Sequence, residues 1–110
     1  MLRNSNFIKI RVFVPLSHAE IVRDALAKAG AGVQGNYDYC SASTKTVGRF
    51  RAQSGAKPVI GDVGKITEVT EVIIETLCHQ GSVAAAIKAV REAHPYEEPT
   101  IDILPRLEVE

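Results

Sequence analysis

Between Phe7 and Val14 the chain alternates strictly. Ile8, Ile10, Val12 and Val14 fall on one side, and Phe7, Lys9, Arg11 and Phe13 on the other, which is the pattern of a half-buried strand. Pro15 ends it. Ser17 followed by Glu20 has the spacing of a capping box, so a helix is expected to start there. Ile21, Val22, Ala25, Leu26 and Ala29 recur at helical spacing and form its apolar stripe. Gly30 stands where a left-handed residue stops a helix. The glycine-rich stretch 30–36 then leads into a short expected strand, Tyr37 to Ala42, a turn at Ser43–Thr46 and a returning strand, Val47 to Ala52. Gln53–Lys65 holds three glycines and a proline, and reads as a long loop.

Val69 to Cys78 is the clearest strand in the chain, with Val69, Val72, Ile73, Ile74 and Leu77 covering both faces. Gly81 and Ser82 open a second helix whose inner stripe is Val83, Ala86, Ile87 and Val90, and Pro95 ends it. His94–Pro99 is a compact linker into a last strand, Thr100–Leu104, closed by Pro105. Residues 7–42 and 69–104 thus look like two copies of a strand–helix–strand unit. Two such units sharing one sheet predict an α+β, ferredoxin-like two-layer sandwich over residues 1–110, a single domain. Its antiparallel sheet would carry both helices on one face, with an extra hairpin near 37–52. Such a sheet leaves exposed edges, and pairing them between copies is one way to cover them, so a homo-oligomer is expected.

Composition narrows the function classes. Lys plus Arg and Asp plus Glu both number 13, so the chain lacks the basic excess of a nucleic-acid binder. The distribution is uneven. Lys45–Lys65 holds five basic residues against one acid, and Glu92–Glu110 six acids against Arg106 alone. Two cysteines, Cys40 and Cys78, are too few for a disulfide framework. With no membrane-length apolar run and no signal-like apolar start, a cytoplasmic location with reduced thiols is expected.

Three places could carry chemistry. Gly30-x-Gly32-x-x-Gly35 fits a dinucleotide-binding expression, but it follows a helix and enters a strand, the reverse of the order that places phosphate on a helix N-terminus. A helix cap and tight turn account for it instead. In His94-Pro95-Tyr96-Glu97-Glu98-Pro99, two prolines hold an imidazole, a phenol and two carboxylates close together. His94, Glu97 and Glu98 are candidate ligands for a divalent metal. A rigid helix-to-strand linker, with His94 at a helix C-terminus, explains the same residues. Cys40 is a candidate nucleophile if His94 serves as its base, and otherwise a structural cysteine. Cys78 and His79 are strand neighbours facing opposite sides, and no zinc motif, P-loop or serine elbow is present.

The chain resembles the YqfO-type domain of the Nif-three-like family. The resemblance rests on Val12-Phe13-Val14-Pro15, His18-Ala19-Glu20 and Arg23-Asp24-Ala25-Leu26. It continues through Gly30-Ala31-Gly32-x-x-Gly35-Asn36-Tyr37-x-x-Cys40-Ser41, Gly48-x-Phe50, Gly55-x-x-Pro58-x-Ile60-Gly61-x-x-Gly64, and His94-Pro95-Tyr96-Glu97-Glu98-Pro99-x-x-Asp102-Ile103. In that family the domain is similar to PII and CutA proteins, which implies a ferredoxin-like fold and a trimer. The flanking halves that carry the family's two-metal site have no counterpart in this sequence, so a non-catalytic binding or regulatory module is expected, with self-association and a small ligand or partner protein. A divalent-metal-binding protein and a small Cys40-dependent enzyme are the alternatives. The segments that persist make Gly35, Asn36, Tyr37, Cys40, Ser41, Gly61, Gly64 and Tyr96 the candidate ligand-binding residues.

Overall fold

The computed structural model describes all residues, Met1–Glu110. Strand β1 (Leu2–Asn4) is followed by β2 (Phe7–Pro15), helix α1 (Ala19–Lys28), β3 (Ala42–Arg51), β4 (Ile66–His79), helix α2 (Val83–Ala93), β5 (Ile101–Leu104) and β6 (Leu107–Val109). Four strands form an antiparallel sheet in the order β3-β4-β2-β5. The two repeated units are therefore β2-α1-β3 and β4-α2-β5, interleaved in one sheet as the ferredoxin-like topology requires. No helix is long and apolar enough to cross a membrane.

The alternation read from β2 sets the core. Ile10, Val12 and Val14 are fully buried and meet Val72, Ile74 and Cys78 of β4 on the same side of the sheet. Val22 and Leu26 of α1 and Ala86 and Val90 of α2 close over them in one cluster. Each fully buried Val or Ile contributes about 1.5–3 kcal/mol, so this aliphatic layer holds the domain together without tryptophan.

The helix starts differ from expectation. A single turn of 3-10 helix, Leu16–His18, precedes α1, and Ser17 lies inside it. Its hydroxyl pairs with His18 Nδ1 at 2.8 Å instead of capping the helix, so the expected capping box is not formed. A similar turn, Gln80–Ser82, precedes α2, and there His79 Nδ1 accepts the Gly81 N–H at 3.0 Å.

The hairpin expected near 37–52 is also corrected. Residues 37–41 are not a strand, and 43–46 are not a turn. Ala42–Arg51 is one continuous strand, paired along its whole length with β4. The run Ser43-Thr44-Lys45-Thr46 is polar because β3 is an exposed edge, and its β-branched threonines suit a strand. The strand expected at 69–78 is longer at both ends, so β3 and β4 form an arm that extends the molecule to 50 Å in its longest dimension. The additional strands are instead β1 and β6, which pair as a separate ribbon. Glu108 clamps that ribbon by accepting from Ser5, Arg3 and Arg106.

The loop after α1 is tied to the sheet at Gly32. Its N–H donates to Leu77 O at 2.7 Å and its carbonyl accepts the Cys40 N–H at 2.9 Å. Its φ is +79°, and a Cβ there would lie 2.7 Å from Cys40 O. Gly35 also has positive φ, but faces open space. Gly32→Ala is therefore expected to destabilise by about 2–4 kcal/mol and Gly35→Ala by about 1 kcal/mol, as read from urea unfolding midpoints; equal losses would contradict the close approach.

Candidate functional site

The predicted ligand residues separate into two places. Gly35 and Asn36 form the tip of a tight turn closed by reciprocal hydrogen bonds between Gln34 and Tyr37, and Tyr37 is exposed. Cys40 and Ser41 follow, where Thr76 Oγ1 donates to Cys40 O at 2.7 Å. They line a small cavity of about 190 Å³ with Arg23, Ala31, Tyr39 and Thr76. Tyr39 has a φ of +56°, and its hydroxyl donates to Asp24, which also pairs with Lys28 at 2.8 Å.

Gly61, Gly64 and Tyr96 lie at the other place. Gly61 and Gly64 shape the loop 52–65, where Gly64 N–H donates to Ala52 O at 2.8 Å. Beside that loop is a cavity of about 560 Å³ between the arm, the loop and the linker after α2. Tyr96 lines it, whereas Gly61 and Gly64 do not; Ala52, Gln53, Ala56, Pro58, Val59 and Ile60 form the loop's share of the wall.

His94 is buried beneath this site rather than presented to it. Its Nε2 lies 2.6 Å from Phe13 O and its Nδ1 accepts the Tyr96 N–H at 3.2 Å. Both ring nitrogens are occupied, so the imidazole is the neutral form with its proton on Nε2. Burial holds its pKa below the usual histidine value, against the opposing effect of the Phe13 carbonyl. Glu97 Oε1 accepts the Lys57 N–H at 2.6 Å and so fastens the loop to the linker, while Glu98 is exposed. No group of three or more His, Cys, Asp or Glu side chains is arranged to hold a metal ion. His94 is held at Phe13 and Tyr96 and Glu97 at Lys57, so the expected set of His94, Glu97 and Glu98 is not brought together.

The pairing of Cys40 with His94 is not formed either. Cys40 is held against Thr76, whereas His94 is held at Phe13, which lies opposite Ile73. The nearest acceptor to the Cys40 thiol is Asp38 O at 3.7 Å. Cys78 is buried, and burial pushes its thiol pKa up, as befits a core residue.

Sequence reasoning missed the residues at the base of the larger cavity: Phe13, Gly48, Phe50, Glu71 and Thr100. Glu71 is 7% exposed although it lies on the sheet face away from the helices. Tyr96 Oη donates to Glu71 Oε2 at 2.8 Å. Burial, and then the Glu71 carboxylate, push the phenol pKa far upward, which keeps Tyr96 a donor. Gly48, on the neighbouring strand, is the reason Glu71 fits: a Cβ there would overlap the Glu71 carboxylate. Phe50 meets the Tyr96 ring edge-on at 6.0 Å. The available signal was an acid between Val69 and Val72 in β4, with a glycine diagonally across from it in β3.

Two outcomes follow from this packing. Gly48→Ala is expected to cost about 1–3 kcal/mol, and much less in a Glu71→Ala background, because the two side chains compete for one space. A double-mutant cycle in urea checks it, and additive losses would refute it. The second concerns pH. The unfolded chain protonates His94 near pH 6.5, while the folded chain resists to a lower pH. The stability it contributes is complete above that value and falls as the pH drops towards the folded pKa. The urea midpoint should therefore fall between about pH 7.5 and 5.5, and fall less in His94→Gln.

The comparisons with known proteins agree with this architecture. No family model matches the chain. A protein of Halalkalibacterium halodurans named GTP cyclohydrolase 1 type 2 homolog is 43% identical over 97 residues, covering 88% of this chain and 26% of that protein. Its namesake in Bacillus subtilis is 44% identical over 97 residues, with the same coverage. The chain thus spans about a quarter of the length of these relatives. The crystal structure of a Bacillus cereus protein related to NIF3 superposes with a TM-score of 0.78 at 40% identity, covering 96% of this chain and 26% of that one. The divalent cation tolerance protein CutA of Archaeoglobus fulgidus superposes at 0.66 with 20% identity, covering 91% of this chain and 83% of that one, a likeness of fold alone. The chain is similar to a segment of the NIF3-related (YqfO-type) proteins, about a quarter of their length, and has the fold seen in CutA.

Proposed function

We propose that this domain is a homotrimeric, non-catalytic binding module of the PII/CutA kind, which holds a small ligand in the cavity between the β3–β4 arm, the loop 52–65 and the linker 94–100. The cavity carries this reading. Its volume of about 560 Å³ is that of a small-molecule site, and its wall combines aromatic rings with a few fixed polar groups. Cys40 is anchored through its backbone carbonyl at Thr76 and His94 through both ring nitrogens at Phe13 and Tyr96, so the two are not paired as nucleophile and base. The activity suggested by the names of the longer relatives is not carried over to a chain that spans a quarter of them.

Self-association is supported by the sheet's edges. β3 pairs on one side only, leaving the outer backbone of ten residues unpaired. The arm also exposes apolar side chains, with Val47 at 48% and Ile66 at 73%. A free, partly apolar edge is a template for another chain, and a closed ring of copies removes it. The choice of three copies follows the resemblance to PII and CutA proteins. The divalent-metal alternative lacks a comparable feature, since both ring nitrogens of His94 are already in use and no cluster is arranged to hold a metal ion.

Sedimentation equilibrium at micromolar concentration tests the assembly. The expected mass is three times that of the 11.9 kDa chain; a monomer would overturn the reading.

A further inference from the structure

The base of the larger cavity has an uncompensated charge. Glu71 is 7% exposed and takes part in none of the six ion pairs of the structure. Its hydrogen bond from Tyr96 satisfies Oε2. A carboxylate removed from water in this way is stabilised most by a cation. The two arginines of the cavity rim do not supply one. Strand alternation places Arg49 and Arg51 on the opposite face of β3 from Gly48 and Phe50, and Arg49 pairs with Glu68 there at 3.3 Å. Two further carboxylates, Glu97 and Glu98, line the same cavity, and Glu97 accepts only a backbone N–H.

The rest of the wall suits an organic cation rather than a bare metal ion. Phe13, Phe50 and Tyr96 contribute aromatic rings, and the loop contributes Pro58, Val59 and Ile60. Aromatic faces attract ammonium and guanidinium groups but offer no lone pairs to a metal. The Phe13 ring already holds the Arg11 guanidinium at 5.6 Å. Arg11 is in turn claimed by Glu75 at 2.9 Å and does not line the cavity.

We propose that this cavity binds a small organic cation, with an ammonium or guanidinium head against Glu71 among Phe13, Phe50 and Tyr96, and an apolar body over the loop residues. The inference rests on the reading of this cavity as the ligand site. It assigns the ligand's charge and the residue that reads it.

The test compares three probes of similar shape and different charge: benzylammonium, benzyl alcohol and benzoate. Each is titrated into the assembled protein while the NMR signals of Phe13, Phe50 and Tyr96 are followed. Benzylammonium is expected to shift them saturably, with affinity at least about tenfold above the other two. Glu71→Gln keeps the size of the side chain and an acceptor for Tyr96, and is expected to erase that preference. The comparison among probes on the parent protein stands even if the variant does not fold. Equal or tighter binding of benzyl alcohol or benzoate would overturn the cation assignment and leave the ligand site standing. If none of the probes shifts these signals in an intact oligomer, the cavity is not a ligand site, and both readings fall together. Preference retained in a folded Glu71→Gln protein would refute the role of Glu71.

Discussion

Everything in the domain depends on the register between β2 and β4. With Val12 opposite Ile74 and Val14 opposite Val72, one face of the sheet is continuously aliphatic and both helices close on it. The same register fixes the other face, because strand side chains alternate. Phe13 and Glu71 point away from the helices for the reason that Val12, Val14 and Val72 point towards them. A slip of one residue in β2 would turn Arg11 into the core and expose Ile10, Val12 and Val14, and the same slip in β4 would bury Glu75. The cavity base thus inherits its rigidity from the core, although none of its side chains belongs to it.

His94 links the two layers a second time. The histidine ends α2 and bonds the backbone of β2 through one ring nitrogen, while the other takes the N–H of Tyr96. Tyr96 then reaches across to Glu71 on β4. A helix end, a central strand, the linker and the neighbouring strand are therefore joined by one chain of hydrogen bonds. Buried polar chains of this kind have a defined geometry when each member is satisfied. Here the chain ends at a carboxylate that opens on the cavity.

Much of the fold was legible because burial is written as periodicity. Ile8 to Val14 reads as a half-buried strand, Val22 and Leu26 as a helix face, and Val72 to Cys78 as a central strand. β3 was misread because it is an exposed edge, where Ser43, Lys45 and Arg49 face solvent and local polarity carries no strand signal. β1 and β6 were missed because each has three residues and gains its order from a partner about a hundred positions away. The site was legible only in part. Tyr96 stood out between two prolines, but what it touches depends on a strand 25 residues earlier. His94 was seen as a candidate ligand because sequence shows residue type and not whether both nitrogens are already in use.

The pairing of Gly48 with Glu71 separates stability from function. A sheet built for stability alone would place a β-branched residue at position 48 and an apolar one at 71, filling the space that the carboxylate now occupies. The structure instead gives up a side chain on β3 to admit a charge on β4, and surrounds that charge with rings and no cation. Removing a carboxylate from water is unfavourable, and a phenol hydrogen bond offsets only part of it. Such an arrangement persists when a neighbouring group in the working molecule completes it. The outer face of the arm is therefore where this fold departs from what packing requires. That departure, rather than the glycine stretch or the cysteine, is the feature on which the proposed cation site rests.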